Sequence, residues 1–169
     1  YPNDAYGIEY ANLFWDEVKA KGGQITAAQP YDPNEKDFSG HAQRLVGTFY
    51  TDDRVEEFKL KLTAWQEKNQ KRTARTVLPT FQELVPAAQD FDAVFIADSP
   101  KAVQLIAPTL EANGISGARL LGTNIWNTPK FIELGKKYVE DSVFVGSTTS
   151  NDPSFLNSEF FSSYKSTFD

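Results

Sequence analysis

Two periods alternate along this chain, and each change of period marks an element. Near the start, Ile8, Ala11, Trp15 and Val18 recur at helical spacing, and Phe14 widens the stripe. This predicts a helix capped by Asn3 or Asp4 and ended at Gly22-Gly23, with Trp15 in the core. Residues 24–29 (Gln-Ile-Thr-Ala-Ala-Gln) read as a short strand, and 30–37 as a turn-rich loop. A second helix is expected over 38–49, with Leu45, Val46 and Phe49 apolar, and a third over 53–72. In the third, Val55, Phe58, Leu62 and Trp65 share a face, and the charged remainder is expected to be wet. Residues 73–90 contain Pro79 and Pro86, lack periodicity, and read as an irregular connection.

Beyond residue 90 the rhythm becomes regular. Ala93-Val94-Phe95-Ile96-Ala97 is an apolar run short enough for a buried strand. Asp98-Ser99-Pro100 then opens a helix with Val103, Ile106 and Leu110 on its inner face, stopped at Asn113-Gly114. A strand over 119–122, a helix over 128–138 and a strand over 142–146 follow. Asp152-Pro153 starts a last helix, whose Leu156, Phe160, Tyr164 and Phe168 lie four apart. Alternating strands and helices imply an α/β fold with a parallel sheet and right-handed crossovers. Ligands of such sheets sit beyond the carboxyl ends of the strands. There the chain gathers Asp98 and Ser99, Thr123 and Asn124, and the polar run 147–151. Helix capping explains the same residues equally well.

One feature departs from the pattern. A parallel α/β lobe begins with a strand that sits mid-sheet, whereas the first element here is a helix. A missing first strand leaves a central slot, where each buried unpaired backbone group costs about 1–3 kcal/mol.

Composition removes several classes of function. The chain has 169 residues, 40% hydrophobic and 24% charged, which suits one folded lobe rather than a disordered segment. A formal net charge of -6 argues against nucleic-acid binding, which needs a basic stripe. Absence of Cys excludes disulfides, thiol catalysis and zinc–thiolate sites. Met is absent as well, so Tyr1 is not expected to be a translated start, and the chain reads as a processed or proteolysed piece, or as one that has lost a short leader or tag.

Catalytic readings fail for want of a constellation. His41 is the single His and has no nucleophile motif beside it. Asp52-Asp53 is a tempting carboxylate pair, but acidic residues are favoured at a helix start electrostatically. Gly22-Gly23 follows a helix and precedes a strand, the reverse of a phosphate loop. A phosphoacceptor receiver would suit Asp98 and Thr123, yet Asp4 supplies one acid where two are needed and Ser147 stands where a Lys is needed. No enzyme activity, metal or cofactor is expected. Trp126 differs from Trp15 and Trp65: it sits in a strand-to-helix loop with Asn124 and Asn127, where a ring either stacks on a ligand or plugs a cleft.

Several blocks in order resemble a known family. They are Tyr1-Pro2-Asn3-Asp4-Ala5-Tyr6-Gly7, Asp37-Phe38, Leu45-Val46-Gly47, Phe91-Asp92-Ala93-Val94-Phe95-Ile96, Leu120-Leu121-Gly122-Thr123-Asn124 and Trp126-Asn127. Together they are similar to the second lobe of type I periplasmic solute-binding proteins of the leucine-binding class, the substrate-binding components of ABC transporters. The branch resembled most is that of penicillin-binding-protein activators, often lipoproteins. The resemblance implies two Rossmann-like lobes that close on a small ligand, of which this chain is the second, lacking its first strand. Residues 1–150 would be that lobe, with 53–90 a charged helical and irregular insertion, and 151–169 a helix returning to an absent first lobe.

The same resemblance implies site residues. Tyr6 matches an aromatic position that packs on bound amino acids, and Asp98 and Ser99 lie where ligand contacts follow a strand. Asn124 and Trp126 fall near an acid that grips the ligand's ammonium group; this chain has no acid there, and Asp98 is the substitute at hand. With Thr123 these residues form the expected ligand set. The implied function is extracytoplasmic binding of an amino acid or amide for transport or sensing. The implied location is the periplasm or cell envelope of a bacterium, with lipid anchoring through an upstream part. Expected partners are the small ligand, the first lobe and an ABC permease. The alternative is a regulatory interaction domain acting on a peptidoglycan synthase. An exposed aromatic face on the last helix predicts self-association.

Overall fold

The computed structural model describes residues 1–69, 77–146 and 152–168. Helix α1 (Ala5–Ala20) starts where expected, because Asp4 Oδ1 accepts from the Gly7 amide at 2.8 Å. Gly7 is buried at the first turn, where a β-carbon would overlap the carbonyl oxygen of Pro2. Helix α2 (Ser39–Leu45) is shorter than its apolar pattern suggested. Helix α3 (Val55–Lys68) follows a 3-10 turn at Asp52–Arg54, and α4 (Phe81–Leu84) is a single turn held by a Thr80–Glu83 capping box. The expected helical residues 70–72 and the start of the irregular connection lie outside the described residues.

The regular half follows its pattern closely. Strands β1 (Ala93–Ile96), β2 (Arg119–Gly122) and β3 (Val143–Phe144) form a parallel sheet in the order β1-β2-β3. Helix α5 (Pro100–Ala112) crosses from β1 to β2, and α6 (Pro129–Gly135) crosses from β2 to β3. The expected helix over 128–138 breaks after Gly135: Lys136 has φ of 50°, and a 3-10 turn runs on to Val139. Two helices replace the expected last one, α7 (Pro153–Leu156) and α8 (Glu159–Phe168). The chain is thus α/β, with a small three-stranded parallel sheet.

Alternation along β1 sends its side chains to opposite faces. Ile96 joins Val103, Ile106, Ala107 and Leu110 of α5 in the main core. Each Ile, Val or Leu among them, fully buried, contributes about 1.5–3 kcal/mol. Phe95 faces the other way and stacks on Phe14 of α1, with ring centroids 4.2 Å apart and 9° between planes. Helices therefore cover both faces of the sheet. Trp15, expected in the core, is 41% exposed, because Phe14 rather than Trp15 points at β1.

Residues 24–29 do not join the sheet. The expected strand does not form, and the parallel bridge beside it joins Pro2 to Tyr31, inside the expected loop. Between 24–29 and β1 lies a cavity of about 1040 Å³. Among the described residues, no helix is long and apolar enough to cross a membrane.

Candidate functional site

Parallel pairing brings two strand ends together. Ile96 lies opposite Gly122, so Asp98 and Thr123 emerge side by side at the carboxyl edge of the sheet. The first turns of α1 run past this edge, and the Tyr6 hydroxyl shares a 2.6 Å hydrogen bond with Thr123 Oγ1. The ring of Tyr10 lies 4.5 Å from that of Tyr6, one helical turn on.

Asp98 is the hub of this edge. Its Oδ2 accepts from the Tyr31 hydroxyl at 2.9 Å, and its Oδ1 accepts from the Ser99 amide. Its carbonyl accepts from Trp126 Nε1 at 2.7 Å. Burial, then the nearby Asp98 carboxylate, pushes the Tyr31 phenol far up, so Tyr31 stays a hydrogen-bond donor. Burial also raises Tyr6, with the bond to Thr123 opposing. The Tyr1 amine, held by a 2.9 Å bond to the Gln29 carbonyl, is lowered to about 6 by burial, with Asp98 pulling the other way.

The six expected ligand residues therefore divide into three kinds. Asp98 and Thr123 are engaged within the protein, and Thr123 is buried. Tyr6, Ser99 and Asn124 keep an accessible face, and the side chains of Ser99 and Asn124 take no hydrogen-bond partner among the described residues. Trp126 requires correction. The expected ligand wall is fully buried, stacked on Phe131 at 4.6 Å and near Phe144 at 6.5 Å. A β-carbon at Gly122 would overlap the indole, so the bare glycine is what admits the ring beneath β2. Trp126 plugs the end of the sheet and shows no face to a ligand.

Other candidates stay apart from this edge. His41 Nε2 lies 3.8 Å from Glu35 Oε2, with its ring against Tyr31 and Phe38. Asp52 and Asp53 are exposed in their 3-10 turn. No group of three or more His, Asp or Glu able to hold a metal occurs among the described residues. The polar run 147–151, expected at the same sheet edge, lies outside them. Sequence reasoning missed Tyr31 and Tyr10. Tyr10 carried a signal, its spacing of four from Tyr6; Tyr31 sits in an aperiodic loop and carried none.

Compared with protein families, curated proteins and solved structures, the chain finds no match.

Proposed function

We propose that the chain is a Rossmann-like second lobe of a type I solute-binding receptor, and that it grips a small polar molecule at the carboxyl ends of β1 and β2. The observation that carries this reading is the row of Tyr6, Ser99 and Asn124 along one sheet edge. The side chains of Ser99 and Asn124 have no hydrogen-bond partner among the described residues, and the half-buried Tyr6 ring stands beside them, its hydroxyl tied to Thr123. Strand ends of this kind are where open α/β sheets bind ligands. An amino acid or amide offers the matching donors and acceptors, and the expected setting is transport or sensing at a bacterial envelope.

The test is a titration of the isotope-labelled chain with glycine, leucine and acetamide, read by amide shifts. Saturable shifts at Tyr6, Ser99 and Asn124 are expected, with a dissociation constant near 1 mM, or about -4 kcal/mol, since one lobe supplies part of the contacts. Absence of shifts at all three sinks the reading.

A second reading has its own support. Phe160, Tyr164 and Phe168 form an exposed row along α8, and no acid stands at 124–127 to hold an ammonium group. Both favour a regulatory domain that binds a protein, such as an envelope peptidoglycan synthase. Capture of a purified synthase, lost on Phe160→Ser and unaffected by Asn124→Ala, would select it.

A further inference from the structure

A strand-shaped vacancy runs along the free edge of β1. The cavity is bordered on one side by the continuous stretch 23–29 and on the other by 90–96. Phe14 and Val18 of α1 line it from one face of the sheet, and Ala42, Ile106 and Leu110 from the other. Two backbone edges and two apolar helix faces are the four neighbours of an interior strand in a parallel sheet.

Both edges have unused hydrogen-bonding groups. Asp92 O accepts from Arg119 N of β2 at 2.9 Å. Alternation then turns the backbone groups of Ala93 and Phe95 toward the vacancy, and β1 has no partner there among the described residues. Across the gap, the backbone of Gln24 to Ala28 forms no hydrogen bond among the described residues.

A ladder already enters this space from one end. Tyr31 N donates to Tyr1 O at 3.1 Å and Asn3 N donates to Tyr31 O at 2.7 Å, the pattern of a parallel pair. The Tyr1 amine continues it to Gln29 O at 2.9 Å. The next rungs would fall on 24–28, beside the open edge of β1.

We infer that the vacancy accepts an extended apolar peptide strand, parallel to β1 and joined through its carboxyl end to the amine of Tyr1, continuing the ladder now formed by Tyr1–Asn3 and Gln29–Tyr31. Continuing the register that places Pro2 opposite Tyr31, five residues before Tyr1 reach the position opposite Ile25, about 17 Å at the strand rise of about 3.3 Å. Both of its faces meet helices, so it must be apolar at successive positions, not alternately. Proline is excluded, because the strand donates to neighbours on both sides. This inference stands independently of whether the sheet edge binds a solute.

The test compares three chains by amide hydrogen exchange: the 169-residue chain, one extended before Tyr1 by Val-Ile-Val-Ile-Val, and one extended by Val-Pro-Val-Pro-Val. The first extension should slow exchange at Ala93, Phe95 and the 24–28 amides at least a hundredfold, and the proline form should leave them unchanged. As a second measurement that avoids any folding defect of the fusions, acetyl-Lys-Lys-Val-Ile-Val-Ile-Val-amide is added to the unextended chain. Protection of the same amides, weaker and rising with peptide concentration, is expected. Equal exchange in all samples overturns the inference. So does protection of Phe95 that depends on protein concentration alone, which would mean that β1 pairs with a second copy.

Discussion

At the residue scale, Asp98 ties its own strand end to two stretches of chain that are distant in sequence, through Tyr31 and Trp126. Tyr31 is 7% exposed, so its hydroxyl has little water to turn to. Asp98→Ala should strand that hydroxyl and cost about 1–3 kcal/mol. Tyr31→Phe added to it should cost less than the sum of the two single changes, because the donor and its acceptor then leave together. Urea denaturation of the four proteins measures the cycle, and strict additivity would mean that the bond contributes nothing. Gly122→Ala should destabilise by about 1–3 kcal/mol, the usual range for overpacking, since the indole beneath it has no room to retreat. The Tyr1 amine sets a pH dependence. Its value is about 8 in the unfolded chain and about 6 in the fold, so between these the unfolded state holds more protons. Its contribution to stability therefore rises from pH 6 to pH 8. Acetylating the amine should remove that rise from the melting temperature measured across this window.

At the scale of elements, legibility depended on whether neighbours along the sequence were also neighbours in space. The β1-α5-β2-α6-β3 run was read in the right order and β2 to the residue, with α6 and β3 shorter than expected, because each apolar run packs on the next one in the chain. Val103, Ile106 and Leu110 were placed correctly for that reason. Residues 24–29 carry a strand's pattern, but a ladder needs a partner, and the vacancy beside β1 leaves them without one. On α1 the apolar stripe is wider than the surface it meets, so Ile8 and Trp15 stay at 42% and 41% exposure while Phe14 takes the contact. The residues that meet at the sheet edge were partly legible. Strand ends named Asp98 and Thr123, and the resemblance named Tyr6; whether Trp126 looked outward or inward depended on Gly122 four residues earlier, which a linear reading does not weigh. The break between α7 and α8 is local chemistry: Ser158 Oγ accepts from the Phe161 amide at 3.1 Å and caps a new helix. Ser158→Ala should cost about 1 kcal/mol of local helix stability, seen as faster exchange at the Phe161 and Ser162 amides with rates on α5 unchanged.

For the whole molecule, two opposed features decide whether copies associate. Phe160, Tyr164 and Phe168 are 67%, 55% and 71% exposed and lie along one side of α8, an apolar row of the kind that seeks a partner. Against this stands a net charge of -6, which makes copies repel at long range. Repulsion is screened within about 8 Å at physiological salt, whereas apolar contact is not weakened by salt. Association should therefore strengthen as salt rises, the reverse of an ion-paired interface. Sedimentation equilibrium across a salt series measures this. Phe160→Ser with Phe168→Ser should lower the association constant at least tenfold, a loss of about 1.4 kcal/mol. Leu60→Ser, at an equally exposed apolar residue on α3, is the control and should leave association unchanged. If Leu60→Ser weakens association as much as the α8 pair, the copies meet through scattered surface contacts and the aromatic row is not their docking face. Weakening by salt instead would place the attraction in charged groups, and α8 would then be free to serve another partner.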